Sequence, residues 1–396
     1  MDIHVKRDTD SDGSKLGERY FGVPSLCCRV GVPLQQQPHL GHNRWHPDIE
    51  PKLYVNAGDE VVLEAIDPFN AQLTHDGDLD ELARLDLTQC HPLTGPVHVD
   101  GAEPGDLLEV EILDVQPLSG KAFSNIFPGL PGWLGQHVKN GYRTTWFARG
   151  SIAESPQVPG VRIPIQPHPG TIGVAPSHEL VARWAARERK IHETGTVWVP
   201  TANNAIGPGL SAAALATAPR TQPPRENGGN MDINRLGAGA RIYFPVFVKG
   251  ALLSLGDHHL AAGDGECSYN AMEMDGRSWL RLRVIKGGIE RHKVQTPLVR
   301  PGPIGWQPGR ERYLGFTGFS FNSSEQGYQD VTLASREAIL RAVEYLTTVG
   351  YSDEQAYTIV SVAPVEFRIS CVVTPPNISV TLYLPLDIFE RDVLPS

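Results

Sequence analysis

Six acids and histidines fall within one short stretch of this chain: Asp232, Asp257, His258, His259, Asp264 and Glu266. Carboxylates mixed with imidazole form a donor set that suits a divalent cation, zinc above all, with a water in an open position. Asp232, Asp257 and His259 are the candidate ligands. The spacing Asp257-x-His259 puts both side chains on one face if the segment is extended. Glu266 is then the candidate general base, taking a proton from water and returning it to a leaving group. Asn227 and Asn230, in Arg225-Glu226-Asn227-Gly228-Gly229-Asn230, could donate to a carbonyl oxygen or cap turns. Arg225 and Glu226 read as an ion pair that holds this loop. The plainer reading of each Gly-Asp pair is turn chemistry, with glycine supplying positive φ and aspartate bonding its own backbone. Turns do not require two adjacent histidines followed by two acids.

These groups need rigid supports. Two strand-like runs, 241–248 and 251–255, end at glycines, and five of the six residues follow the second run in Gly-Asp-His-His and Gly-Asp-Gly-Glu. Upstream, 52–65 reads as strand, Gly-Asp turn and strand. Residues 97–115 form another hairpin pattern, with alternation at Leu108, Val110 and Ile112. Ser177 caps an expected helix over 178–193, with Leu180, Val181, Trp184 and Ile191 on one face. Residues 194–224 read as a long connecting loop, and Pro, Gly and Trp place 127–133 in loops. A strand over 279–285 leads into Lys286. Helices are expected over 332–348 and 353–362, with Leu333, Ala334, Ile339, Leu340, Val343 and Leu346 as core. Two strand-like pieces follow over 372–384. His42 and His46 have the spacing of a helical metal pair. Pro47 biases His46 towards extended backbone, and an Arg/Trp/His packing corner is the alternative.

Composition narrows the classes. The chain has 396 residues, 40% hydrophobic and 20% charged, as in a soluble globular protein. A net charge of −10 disfavours nucleic acid and anionic membranes as partners. No apolar run approaches the roughly 20 residues that span a bilayer, and the N-terminus has no apolar core of a secretory signal. Five cysteines without zinc-finger spacing fit reduced, packed thiols of a cytoplasmic protein. Forty glycines and 33 prolines favour short strands and turns over long helices. No Gly-x-Ser-x-Gly elbow or Gly-rich nucleotide motif is present.

PPRENGGNMDI, then RIYFPVFVKGALLSLGDHH, GDGE and AMEM, resemble the acetamidase/formamidase family of amide hydrolases. HNRWHPDI, LDLTQCHPLTGPVHVDGAEPGDLLEVEILDV and HPGTIGVAPS match it upstream, and IKGGIE, GYSDEQAY and LYLPLDIF downstream. The likeness covers nearly everything after about residue 40, in the family's order. It implies a mainly β (α+β) fold: a β-sandwich core with a smaller α/β C-terminal portion, in a homo-oligomer. The expected layout is a variable extension (1–40), a β-rich half (41–177), a helix and long loop (178–224) and a site-bearing region (225–396), together one catalytic unit. It implies hydrolysis of a small aliphatic amide, formamide or acetamide, to carboxylate and ammonia. It points to the same site positions, with His259 as the histidine of its Gly-Asp-x-His pattern and His258 at the free position. The HDGD-containing segment 71–82 departs from relatives that often carry asparagines there. Three alternatives stand beside this reading. One is a γ-lactam or other cyclic-amide hydrolase, and another a small-amide binding protein without turnover. The third is a thiol mechanism using Cys267, Glu266 and Lys286, residue types shared with nitrilase-like amidases.

Overall fold

The computed structural model describes residues 20–395, apart from 21, 76, 128–131, 136, 194–199 and 304–311. The chain weaves between two sheets, one of six strands and one of eleven. In chain order, β1 (Leu53–Asn56) lies in the larger sheet and β2 (Glu60–Ala65) in the smaller. β3 (Leu93–Asp100) returns to the larger and β4 (Leu107–Pro117) to the smaller. β5 (Lys121–Ile126), β6 (Tyr142–Arg149), β7 (His168–Gly173) and β8 (Gly228–Asn230) all belong to the larger sheet. β9 (Arg241–Pro245) is in the smaller, β10 (Leu253–His259) and β11 (Glu273–Met274) in the larger, and β12 (Gly276–Ile285) in the smaller.

The two expected hairpins are therefore corrected. β1 pairs in parallel with β3, while β2 pairs with β12. β3 and β4 likewise part company, β4 lying between β12 and β9. In each case the Gly-Asp turn carries the chain from one sheet to the other. The reason is the core shared by the two sheets: Val61 and Leu63 of β2 and Val97 and Val99 of β3 enter it together with Leu108, Val110, Leu253 and Leu255. Removing that apolar area from water outweighs the local tendency of neighbouring strands to pair. The expected mainly β architecture is what the chain adopts.

A third, three-stranded antiparallel sheet holds β13 (Tyr313–Phe319), β14 (Glu366–Cys371) and β15 (Ser379–Pro385), with β15 central. Two of three helices labelled here pack with it or beside it: α1 is His178–His192, α2 Val331–Thr348 and α3 Asp353–Val362. All six core positions expected on α2 are buried. On α1, Ser177 caps the Leu180 N–H, and Leu180 and Trp184 are buried. Ile191 is exposed, because the helix rests on the sheet only over its first two turns. Of the expected loop 194–224, residues 194–199 lie outside the described residues, and Ala212–Thr217 is a short helix. The expected loop 127–133 also lies largely outside them. Residues 25–26 pair with β2, and Leu34 and Leu40 are buried against Ile66, so this part of the N-terminal segment joins the body.

Candidate active site

β10 is longer than its apolar run. It continues through Gly256, Asp257, His258 and His259, and all seven of its residues are buried. The expected loop after residue 255 is thus a strand at the centre of the larger sheet, between β7 on one side and β3 and β11 on the other. The two adjacent histidines face opposite ways, as strand periodicity dictates. His258 points between the sheets, with Nε2 2.8 Å from Ser278 Oγ on β12. Burial pushes its pKa down to about 3, so it sits there neutral. His259 points to the other side. Backbone register places it between His168 of β7 and Glu273 of β11. Its Nε2 lies 3.2 Å from Glu273 Oε2 and 3.3 Å from Asp257 Oδ1.

Asp257 shares this side with His259, two residues on in the strand, although its own backbone departs from regular strand geometry with φ of 54°. Asp232 (φ 48°) and Glu266 (φ 40°) also sit in the left-handed region that most residues avoid. Such conformations persist only where the surroundings impose them, and they cluster at functional sites. The groups converge on Gly170 of β7. A Cβ there would lie 2.5 Å from His259 Cε1, 2.7 Å from Asp232 Oδ1 and 2.8 Å from Asp257 Oδ2. Only glycine leaves that space open.

Asp232, His259 and Glu266 each offer a ligand atom within 4.8 Å of the others, and so do Asp257, His259 and Glu273. Four carboxylates therefore surround one imidazole. Their charges are strongly interdependent. Burial opposes ionisation of Asp257, yet His91 and His259 hold its carboxyl well below the usual range. Burial also opposes charge on His259, and Glu273 and Asp257 overcome it, raising the imidazole well above its ordinary value. Asp232 is pushed up to about 7, by burial first and then by Asp257. Glu266 is raised well above the carboxylate range by burial and by Asp232. A divalent cation fits this set: acids outnumber the two imidazoles facing them, and buried Asp232 Oδ1 accepts no hydrogen bond.

Residue types alone did not single out three members. Glu273 lies in AMEM and His91 in CHPL, and neither carries a spacing signal. His168 opens HPGTIG; its Nδ1 lies 2.7 Å from the Gln166 carbonyl and its ring is 5.2 Å from that of His259. His91 Nδ1 is 3.3 Å from Asp257 Oδ2. Thr171 Oγ1 lies 2.6 Å from Asn230 Oδ1 and 3.1 Å from Asp257 Oδ2.

The remaining sequence candidates divide. Asn230 reaches the cluster, donating from Nδ2 to Asp232 Oδ2 at 2.9 Å. Asn227 turns the other way and donates to the Val174 carbonyl at 2.8 Å. Asp264 is taken up by Asn234 and the Phe367 N–H. Arg225 and Glu226 do not pair with each other, which corrects that expectation. Arg225 makes a two-pronged bridge to Glu188 at 2.6 and 2.9 Å. Glu226 binds Arg187 at 2.8 and 3.1 Å and accepts from Trp184 Nε1. Both ties fasten the loop to α1, whose partners are closer than the neighbour in sequence. His42 and His46 form no helical pair: His42 Nε2 is 2.8 Å from Ser254 Oγ, and His46 faces α1.

The thiol alternative finds no support in this geometry. Cys267 is buried among core residues, with its carbonyl accepting from Tyr357 Oη. Burial pushes its thiol up to about 12, so a thiolate is scarce at neutral pH. Lys286 is bound to Asp106 and the Gly101 carbonyl instead. Cys267→Ser is therefore expected to keep most activity; a loss of about a hundredfold or more in a folded variant would restore the thiol mechanism.

The sequence profile of the Acetamidase/Formamidase family matches residues 29–391. The chain belongs to this family. Its similarity to a formamidase from Methylophilus methylotrophus is 40% identity over 382 residues, 92% of this chain and 93% of that one. With an acetamidase from Mycolicibacterium smegmatis it shares 39% identity over 358 residues, 84% and 88% of the two chains. Among solved structures it resembles a gamma lactamase from Delftia acidovorans, with a TM-score of 0.88, 37% identity, and coverage of 93% of this chain and 95% of that one. Membership makes the chain an amidase acting on linear amides, and it places the expected family assignment on firm ground. No helix among the described residues is long and apolar enough to cross a membrane.

Proposed function

We propose that this acetamidase/formamidase family member hydrolyses formamide or acetamide at the cluster around Gly170, with a divalent cation held by Asp232, Asp257 and His259. The observation that carries the reading is Asp232, Asp257 and His259 converging on a glycine whose Cβ would fill the gap, with Glu266 and Glu273 at ligand distance from His259. Zinc is the cation that a mixed imidazole and carboxylate set suits. When bound, such a cation lowers the pKa of water and polarises an amide carbonyl.

The chain's own residues do the rest. Glu273 sets its Oε2 3.2 Å from His259 Nε2 and makes no hydrogen bond through that oxygen, so it stands beside Asp257 and His259 as a further group able to hold the cation. Asn230 holds Asp232 through one of its two N–H donors, and the other is available to a carbonyl oxygen. Glu266 is half-buried and reaches the cluster from the loop after β10; with a cation offsetting the burial and the neighbouring acids that raise its pKa, it would be ionised and able to carry the proton from water to the departing nitrogen. Two further expectations travel with this reading: a cytoplasmic setting, which the free cysteines support, and a homo-oligomer.

Removing the metal tests it. Protein purified without chelator is expected to hold near-stoichiometric zinc or a similar ion, and to lose ammonia release from formamide after exhaustive chelation. Full activity in metal-free protein overturns the assignment. Likeness to the gamma lactamase favours one second reading, ring-opening of a γ-lactam at the same cluster. Comparing kcat/KM for formamide, acetamide and a γ-lactam on one preparation ranks the substrates.

A further inference from the structure

The structure brings together a second group with metal-binding chemistry, on the outside of the larger sheet. His46 lies in the loop after residues 41–42, Asp48 two positions on, and His178 opens α1. Asp48 is the hub. Its Oδ1 is 3.0 Å from His178 Nε2 and its Oδ2 3.7 Å from His46 Nδ1. The two imidazole rings stand 5.2 Å apart at 79°. All three residues offer ligand atoms within 4.8 Å of one another. None belongs to the cluster around Gly170.

We propose that His46, Asp48 and His178 form a second, surface site for a divalent cation of the zinc class. Two imidazoles and one carboxylate select zinc, nickel or copper over magnesium or calcium, which prefer all-oxygen shells. The side chains of Asp48 and His178 are 57% and 67% exposed, so water completes the coordination. Two costs limit affinity. The Asp48 N–H now donates to His46 Nδ1 at 3.2 Å and would be displaced if that nitrogen binds. A cation beside the first turn of α1 also meets the positive end of the helix, which Asp48 and Glu179 offset.

The site would clip α1 to the loop that carries Trp45. α1 in turn holds Arg225 and Glu226 through Glu188 and Arg187. A cation here braces the outer support of the loop leading to Asn230 and Asp232, without touching the reaction.

The test is a calorimetric Zn²⁺ titration of holoenzyme whose catalytic centre is already loaded. Wild type is expected to take up one further equivalent per chain and to gain thermal stability. The double variant His46→Ala/His178→Ala is expected to lose that equivalent while keeping its amidase activity. Asp48→Asn, which alters the surface less, is expected to weaken binding by about tenfold or more. Identical titrations in wild type and in both folded variants overturn the proposal and leave the trio as a surface ion pair only.

Discussion

Glu266→Gln is expected to lower turnover by about 10²–10⁴-fold while metal content, melting temperature and substrate affinity hold. The amide keeps the shape of the side chain and removes its capacity to take a proton. Glu266 sits in a left-handed turn, where Tyr269 donates its N–H to the Glu266 carbonyl. That bond uses the backbone, so the substitution leaves the turn intact. The structure offers a competing role, because Glu266 shares a ligand-distance group with Asp232 and His259. A ligand would show itself differently: turnover and metal content would fall together. A merely structural carboxylate would lower the melting temperature and leave catalysis per folded molecule unchanged. Turnover, metal content and melting temperature measured on one sample separate the three. Normal turnover removes Glu266 from the mechanism.

Gly170→Ala is expected to do as much damage with a single methyl group. The new Cβ meets His259, Asp232 and Asp257 at 2.5–2.8 Å, closer than real side-chain carbons come. The Gly170 carbonyl also accepts the N–H groups of Met231 and Asp232, so the strand cannot simply retreat. The three side chains must move apart instead. A displacement of about 1 Å at a reacting centre can cost about 10²-fold, and overpacking of this kind costs about 1–3 kcal/mol of stability. The expected variant is folded, somewhat less stable, depleted in metal and at least about a hundredfold slower. Wild-type metal content and turnover in Gly170→Ala would move the reaction away from this cluster.

The sequence carried the location of the cluster better than its walls. Asp232, Asp257, His259 and Glu266 stand out because polar, titratable residues pile up between glycines. Asp-His-His looks like loop because three polar residues interrupt an apolar run. It is central strand because β7, β3 and β11 satisfy its backbone, and His258 finds Ser278 in the opposite sheet. That partnership is invisible without the fold. Glu273, His91 and His168 went unread for a similar reason: each is an isolated residue in its own segment, Glu273 and His168 being brought to His259 only by register and His91 meeting Asp257 from the segment before β3. The hairpins failed on a different point. Local alternation identified the strands correctly, but strand pairing is decided by which core each face enters. Helices α2 and α3 were legible almost to the residue, because an amphipathic period and a cap are local signals. Arg225 and Glu226 show the limit of adjacency, since each found its ion-pair partner on α1.

One feature of the larger sheet bears on how such a protein can change over generations. His168, His259 and Glu273 occupy neighbouring strands in register, so the backbone ladder sets their separation. Interstrand spacing is about 4.7–4.9 Å whatever the side chains around it. The groups that handle charge are therefore inherited with the sheet, while Asp232 and Glu266 arrive on connecting segments. Lengthening or recomposing a connection alters what is admitted and leaves the imidazole and its carboxylate where they were. A lineage built this way can exchange one small amide for another, or an open chain for a ring, by drift in its loops alone.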